Sequence, residues 1–314
     1  MKLQRHQQSI WDHVTVSVIT PLPIKVRVPI AASLTVAAAG VVWSLGAVTA
    51  RTARHTDAWQ YLVWRSIGVL VVMEVMTLLR RERPLLPQAY NKGRAMHLAT
   101  FGLLLASLAY VYALKNTTAA NAAFLSSLTP LVAAVLARFV LKERLSRATI
   151  ICISFALAGL LLMVLSDLRA GNMIGNIAAM MSSVGFAIYM ICIRSSVARD
   201  WSPVLPGYAV AMIVLCSTVT LINGRTLLPP LLDISMAMLH GGVFIVIGTL
   251  LFNHASKSVP AVGMAVLSQV ENVCVPLWIF VGFSEIPKAT ALLGGAIIMT
   301  AVLGKAVFDA RPSR

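Results

Sequence analysis

The sequence is poor in charged residues, and above all in acidic ones. Only 12% of the 314 residues are charged, and 11 Asp and Glu stand against 26 Lys and Arg. Because about a quarter of the residues in soluble domains are charged, this composition excludes an ordinary soluble domain. The mean hydropathy of +0.83 and the 58% of apolar residues instead indicate an integral membrane protein.

The sequence also lacks the motifs of enzymes, cofactor sites and metal sites. Its four cysteines lie singly within apolar runs and show no CxxC or CxxH spacing. This predicts small core residues rather than metal ligands or a disulfide framework. We find no His/Asp/Glu metal cluster, no Ser–His pair and no phosphate-binding loop. We therefore expect no enzymatic activity, no cofactor, no bound metal and no ATP hydrolysis by this chain.

Long apolar runs fill most of the chain. Each is close to the ~20 residues that cross ~30 Å of hydrocarbon as a helix, so ten membrane spans are predicted. The connections between them are short, which predicts antiparallel neighbours. The predicted spans are 29–51, 57–79, 95–114, 117–141, 147–166, 171–193, 203–223, 235–254, 259–282 and 287–308.

The distribution of basic residues predicts the orientation of the spans. With a cytoplasmic N-terminus, 19 Lys and Arg lie on the cytoplasmic side and 6 on the outer side, with Arg65 inside a span. The positive-inside rule then places both termini in the cytoplasm. This topology accounts for the net charge of +15, so we expect no nucleic-acid partner.

A stretch of the first half recurs 142 residues later. Residues 113–143 align with residues 255–285 at seven identical positions of 31. The charged identities are Lys115/Lys257 and Glu143/Glu285. Because each half has five spans, an odd number, the second half must cross the membrane in the opposite direction. Inverted repeats are typical of secondary transporters, whose halves exchange outward-open and inward-open states around a central site. Duplicated scaffolds also occur in channels and structural subunits, so that alternative stays open.

These observations predict an all-α integral membrane protein with ten transmembrane helices in two inverted five-helix repeats. The first repeat covers residues 29–166 and the second covers residues 171–308. An N-terminal cytoplasmic arm, 1–28, precedes them, and a C-terminal cytoplasmic tail, 309–314, follows them.

Each half carries a group of short motifs. The first copy has Leu128-Thr129-Pro130-Leu131, Leu141-Lys142-Glu143-Arg144-Leu145-Ser146 and Gly159; the second has Gln269-Val270-Glu271-Asn272-Val273, Phe283-Ser284-Glu285 and Gly294-Gly295. This pattern resembles the EamA domain of the drug/metabolite transporter superfamily. Trp43 matches the family's Trp in the first helix, and Phe186 stands at the corresponding place in the second half. The chain departs from the family at Asn272, where Pro is frequent; Pro276 follows four residues later.

The resemblance implies a central cavity formed by helices one, three, four, six, eight and nine. It also implies export of metabolites or amino acids across the bacterial inner membrane. We therefore expect a secondary active transporter that exports a small organic metabolite, an amino acid or related solute, by alternating access. The alternative is a channel-like or non-transporting membrane scaffold. The expected partners are the small-molecule substrate and the lipid bilayer, and protons are an open choice of coupling ion.

Polar side chains mark the fourth and ninth helices as the predicted pathway. An ionised Glu271 at the bilayer centre costs about 2.5–3.5 kcal/mol, so it faces the cavity, finds a partner or binds a proton. A substrate site and a structural role both stay open for Glu271. The same holds for the other polar residues of these helices, because Ser and Thr also serve as packing contacts between membrane helices. The predicted pathway residues are Trp43, Tyr110, Asn121, Ser126, Thr129, Phe186, Tyr189, Ser268, Gln269, Glu271 and Asn272.

Three more side chains are candidates for charge or proton roles. Arg65 lies in the second span, where it either binds a substrate carboxylate, extends towards the headgroups or pairs across helices. His97 and His240 are related by the repeat at a spacing of 143. We expect them near opposite surfaces, which excludes a shared metal site, and a gating or proton role stays open.

Overall fold

The computed structural model of the protein describes residues 28–117, 122, 125–143, 145–164, 173–284, 286 and 289–310. Every regular element in these ranges is a helix, which confirms the all-α class. The helices are α1 (Ile30–Ser44), α2 (Gly46–Thr52), α3 (Ala58–Leu79), α4 (Leu85–Asn91), α5 (Arg94–Asn116), α6 (Thr129–Val140), α7 (Arg147–Val164), α8 (Met173–Ser195), α9 (Val204–Ile222), α10 (Leu231–Leu239), a π-helical segment (His240–Ile245), α11 (Val246–Ala255), α12 (Ala261–Leu267), α13 (Val270–Phe283) and α14 (Ala289–Ala310).

Eight helical stretches are long and apolar enough to cross a membrane. They coincide with eight of the predicted spans and confirm a multi-pass membrane protein. At the fourth and fifth predicted spans the structure describes shorter apolar helices, α6 and α7. Helix α6 has only 12 residues, because the chain turns at Ser127 and Leu128 before it. The count of ten spans therefore stays a prediction.

Helix α3 begins at a capping box. Asp57 accepts hydrogen bonds from the backbone N–H groups of Trp59 and Gln60, and the Gln60 side chain accepts one from the N–H of Asp57. These bonds satisfy N–H groups that have no partner within the helix. At the other end of α3, Glu74 accepts the N–H of Leu86 at 2.7 Å, so its carboxylate holds the start of α4 against α3.

Three of these eight stretches are not continuous α-helices. Ile30–Thr52 is interrupted at Leu45, between α1 and α2. Leu231–Ala255 contains the π-helical segment between α10 and α11. Ala261–Phe283 is interrupted at Ser268 and Gln269, between α12 and α13. Irregular backbone inside a membrane domain is tolerated where it is buried in protein or lines a cavity, and π-helical turns are frequent at functional sites.

Small residues bring several helices into backbone contact. A β-carbon on Gly102 of α5 would lie 2.8 Å from the carbonyl oxygen of Gly185 in α8. A β-carbon on Gly159 of α7 would lie 2.6 Å from the carbonyl oxygen of Gly294 in α14. Lipid tails are as apolar as the side chains, so close van der Waals packing of this kind is what holds membrane helices together.

The remaining sequence-based predictions concern cysteines and chain division. All four cysteines are free, and three of them are buried, as expected of small core residues. Nearly all of the predicted arm, 1–28, and most of the predicted tail, 309–314, lie outside the described residues. The division into repeats at 29–166 and 171–308 stays a prediction.

Candidate functional site

The two interrupted helices, at the start of α6 and between α12 and α13, break for the same local reason. The hydroxyl of Thr129 donates to the carbonyl oxygen of Ser126 at 2.9 Å, and that of Ser268 donates to the carbonyl oxygen of Ala265 at 3.2 Å. Hydroxyl bonds to nearby carbonyls compete with regular helical hydrogen bonding. Pro130 then fits the first turn of α6, where no N–H is needed.

Side chains tie these two turns together. Gln269 donates through Nε2 to the carbonyl oxygen of Ser127 at 3.1 Å, and Asn272 Nδ2 lies 3.4 Å from Ser127 Oγ. Asn272 also donates to Oε1 of Gln269. The buried Gln269 thus supplies a donor at a turn where helical N–H groups are missing. Three residues from two helices form a continuous polar contact, which we call the seam.

Glu271 follows the seam in the first turn of α13. The positive end of the helix dipole there favours a negative charge. Within the described part of the chain its carboxylate receives no hydrogen bond. Tyr110 of α5 lies close enough to interact electrostatically with Glu271, and both side chains keep accessible surface deep among the helices. This combination is expected of side chains that line an internal space.

An aromatic cluster joins α1, α8 and α11. The ring centroids of Trp43 and Phe186 are 5.9 Å apart, and that of Phe252 lies 5.1 Å from Trp43 and 5.7 Å from Phe186. Tyr189 stacks on Phe186 at 5.9 Å and donates its hydroxyl hydrogen to Oδ1 of Asn253. Tyr189 and Phe252 are fully buried, whereas Trp43 and Phe186 keep part of their surface accessible. The cluster therefore presents two of its rings to open space.

Arg65 forms hydrogen bonds across helices. Its Nη2 donates to Ser107 Oγ of α5 at 2.7 Å and to the hydroxyl of Tyr208 in α9. Of the two structural interpretations from the sequence, pairing across helices is the one that the structure supports. Arg65 and Glu74 take part in different contacts and form no ion pair with one another.

The two histidines lie in different surroundings. His97 is exposed near the start of α5, where its ring lies 6.4 Å from the ring of Tyr90. His240 opens the π-helical segment, and its Nδ1 lies 2.9 Å from the hydroxyl of Tyr61. In the described ranges no three His, Cys, Asp or Glu side chains come close enough together to hold a metal ion.

The structure brings five of the eleven predicted pathway residues into two groups. Gln269 and Asn272 belong to the seam, together with Ser127. Trp43, Phe186 and Tyr189 belong to the aromatic cluster. Ser126, Thr129 and Ser268 take part in the two turns through their backbone or hydroxyl groups. Asn121 lies outside the described residues.

Several residues of these groups have no strong sequence signal. Ser107 and Asn253 are polar residues inside apolar runs, and that property alone would have singled them out. Phe252, Tyr61 and Tyr208 look like ordinary aromatic residues of a membrane span, so only the helix packing reveals their contacts.

Comparison with known proteins agrees with this architecture. Residues 30–165 match the model of the EamA-like transporter family. Twenty-nine chains of solved structures match, among them a crystal structure of a protein that is 19% identical with a TM-score of 0.78. That match covers 90% of this chain and 99% of the other, and at this identity it shows a common fold alone. No curated protein matches the chain.

The matched range contains the first of the two motif groups, the turn before α6 and the interior of α7. Over residues 30–165, which are less than half of its length, the chain is similar to the EamA-like transporter family.

Proposed function

We propose that the protein is a secondary active transporter that exports a small organic metabolite, an amino acid or a related solute, across the bacterial inner membrane by alternating access. The observation that carries the proposal is the seam, where two interrupted helices meet through Gln269, Asn272 and Ser127. Broken helices at a repeat interface are the usual construction of substrate sites in secondary transporters.

Equivalent contacts in the two halves support an inverted repeat. Gly248 of α11, in the third span of the proposed second half, packs against Trp43 of α1, in the first span of the first half. Gly185 of α8, in the first span of the second half, packs against the backbone of Ala106 of α5, in the third span of the first half. Contacts between the first span of one half and the third span of the other thus occur in both directions. The 142-residue offset relates Ser127 to Gln269, which bond to each other and therefore lie at the junction of the proposed halves.

A polar contact at one end of the bundle supports a conformation that is closed on that side. Arg194, at the end of α8, lies 3.4 Å from Glu143 and donates to the carbonyl oxygens of Ser256 at 3.0 Å and Lys257 at 3.2 Å. We call this group the latch. It joins the α6–α7 connection, the end of α8 and the α11–α12 connection, all cytoplasmic on the proposed topology with both termini inside.

The proposed substrate space lies between the seam and the aromatic cluster. Glu271 and Tyr110 contribute polar groups to it, and Trp43 and Phe186 contribute partly accessible rings. The other predicted pathway residues, Ser126, Thr129, Tyr189, Ser268 and Asn121, take supporting positions in this proposal. Proton coupling through Glu271, His97 or His240 belongs to the same proposal and is tested with it.

The test is transport into inverted membrane vesicles with a panel of labelled amino acids and related metabolites, with and without a protonophore. We expect uptake of at least one solute by the wild-type protein and at least a tenfold loss in Glu271→Gln, because an amide neither carries a charge nor transfers a proton. The matched control is Glu82→Gln, an exposed carboxylate in the α3–α4 connection.

Equal protein levels in the membrane are required of both variants. Unchanged uptake in Glu271→Gln would remove Glu271 from the pathway and leave it a structural role. Flux that runs only down the gradient of the solute itself, is unaffected by the protonophore and does not saturate would favour a channel, whereas no flux of any solute would favour a scaffold.

A further inference from the structure

The guanidinium of Arg65 has no negatively charged partner in the described part of the chain. The ion pairs of that part join other residues, and none includes Arg65. Its Nη2 is bound by two neutral hydroxyl groups, those of Ser107 and Tyr208. Its Nε is buried and makes no hydrogen bond. Among the described residues, the charge therefore has no counter-ion, and the Nε donor is unsatisfied.

This charge lies deep in the membrane domain. Ser107, which Arg65 contacts, is in the middle of the 23-residue helix α5. An arginine at such a depth is costly unless it faces a partner or a water-filled space. A buried donor without a hydrogen bond adds to that cost. A structural arginine would be expected to have a carboxylate beside it, as Arg194 does at Glu143.

The surroundings of Arg65 are polar, uncharged and partly accessible. Arg65, Ser107, Tyr61 and His240 all keep some accessible surface. Asp233, which belongs to the neighbouring helix α10, is already engaged: it accepts the backbone N–H of His55 at 2.9 Å and the hydroxyl of Thr56 at 2.6 Å. The protein thus provides hydrogen-bond donors around Arg65 without a compensating charge.

We propose that Arg65 binds the carboxylate of the transported solute, an inference that rests on the proposed function. Ser107 and Tyr208 hold Nη2, whereas Nη1 has no hydrogen bond within the described residues, so Nη1 is the donor left for a carboxylate oxygen. A single carboxylate cancels the single charge of the guanidinium, whereas a phosphate dianion leaves one charge uncompensated.

The position of Arg65 also sets the direction of the bound solute. Ser107 and Tyr110 are three residues apart on α5, and residues at this spacing lie next to each other on a helix surface. Ser107 contacts Arg65, and Tyr110 interacts with Glu271. The carboxylate of the solute therefore points to Arg65, and the rest of the molecule extends towards Glu271 and the aromatic cluster.

The test measures ligand-induced thermal stabilisation of the purified full-length protein. The probes are benzoate, 3-phenylpropionate and hexanoate, each paired with its neutral amide, together with phenylphosphonate at equal ionic strength. We expect the wild-type protein to bind at least one carboxylate and not its amide. Arg65→Gln should weaken that binding at least tenfold, and Arg65→Lys, which keeps the charge but not the fork, should weaken it less.

Arg54→Gln is the matched control, because it removes the same charge from an exposed outer position, and it should bind as the wild type does. If Arg65→Gln does not fold, then Tyr208→Phe and Arg65→Lys carry the comparison. The inference is overturned if no carboxylate binds to the wild type, if Arg65→Gln binds as tightly as the wild type, or if phenylphosphonate is preferred.

Flux of the same probes in proteoliposomes separates this inference from the proposed function. Flux of neutral amides with no preference for carboxylates would overturn the role of Arg65 and leave the transporter intact. Carboxylate binding that depends on Arg65, without flux of any probe, would support the site and overturn transport.

Discussion

The latch should respond very differently to the loss of its two charged residues. Glu143 and Arg194 keep only 17% and 11% of their side-chain surface exposed. Arg194 serves three acceptors: the carboxylate of Glu143 and the carbonyl oxygens of Ser256 and Lys257. The arginine is therefore the centre of the latch, and the glutamate is one of its acceptors.

These contacts set the size of the two effects. Arg194→Gln leaves a buried carboxylate without its cation and two carbonyls without their donors. Removing one partner of a buried pair costs about 3–5 kcal/mol, and we expect about 3 kcal/mol because Glu143 can take up a proton. Glu143→Gln keeps an acceptor for Arg194 and removes a charge that burial disfavours. It should change the free energy of closing the latch by less than about 1 kcal/mol.

Cys192 reports on the latch, because it is buried in α8 two residues before Arg194. The measurement is the rate of maleimide labelling in a variant that keeps Cys192 and has serine at the other three cysteines. At 1.36 kcal/mol for each tenfold change, Arg194→Gln should raise the labelling rate about 100-fold. Glu143→Gln should change it less than about fivefold.

The matched control is Lys92→Gln, which also removes a cation from an ion pair on the proposed cytoplasmic side. Lys92 and Asp200 lie 3.6 Å apart with 32% and 55% of their side chains exposed, so their pair contributes little to stability. Cys192 in the Lys92→Gln variant should be labelled at the same rate as in the wild type. The reasoning fails if Arg194→Gln labels at the wild-type rate, or if Glu143→Gln accelerates labelling as much as Arg194→Gln does.

Two further predictions concern stability. Burial raises the pKa of the Glu143 carboxyl above its usual value of 4.5, although its ion pair opposes the shift. The folded protein therefore favours the protonated carboxyl, and the stabilisation that this proton gives is fully present below pH 4.5 and is lost as pH rises through the raised pKa. The melting temperature should fall across that pH window, and Glu143→Gln should remove this dependence. Gly241→Ala should cost about 3 kcal/mol, because its β-carbon would overlap the carbonyl oxygen of Arg65. The melting temperature checks this against Gly304→Ala, where the nearest atom is 3.9 Å away.

Much of the membrane domain follows from hydropathy, because a span needs a long apolar run and little else. Eight spans are predicted with errors of a few residues at their ends. The interruptions within spans are harder to predict. The π-helical segment at His240 lies in an apolar run with two glycines, and its geometry depends on how closely α3 packs there. Only three-dimensional packing determines that distance.

The candidate site shows the same division between what a sequence reveals and what packing adds. Trp43 and Phe186 were predicted as pathway residues from a resemblance and a repeat, and the structure brings their rings together. Phe252, which packs against both rings, has no polar atom and no motif to single it out. For Arg65, the sequence left three interpretations open, because the choice depends on whether hydroxyls or carboxylates surround it in the fold.

The latch, Arg65 and Glu271 carry charge in different ways, and this difference fits a transport cycle. The latch contains a charge pair, so it is closed within the protein and needs no ligand. Among the described residues, Arg65 has no negatively charged partner, and the carboxylate of Glu271 receives no hydrogen bond. A solute that satisfies these groups stabilises the conformation in which they face it. If the latch is open in that conformation and closed in the other, solute binding and latch opening are coupled. The coupling equals the difference in the free energy of solute binding between the two conformations, as alternating access requires.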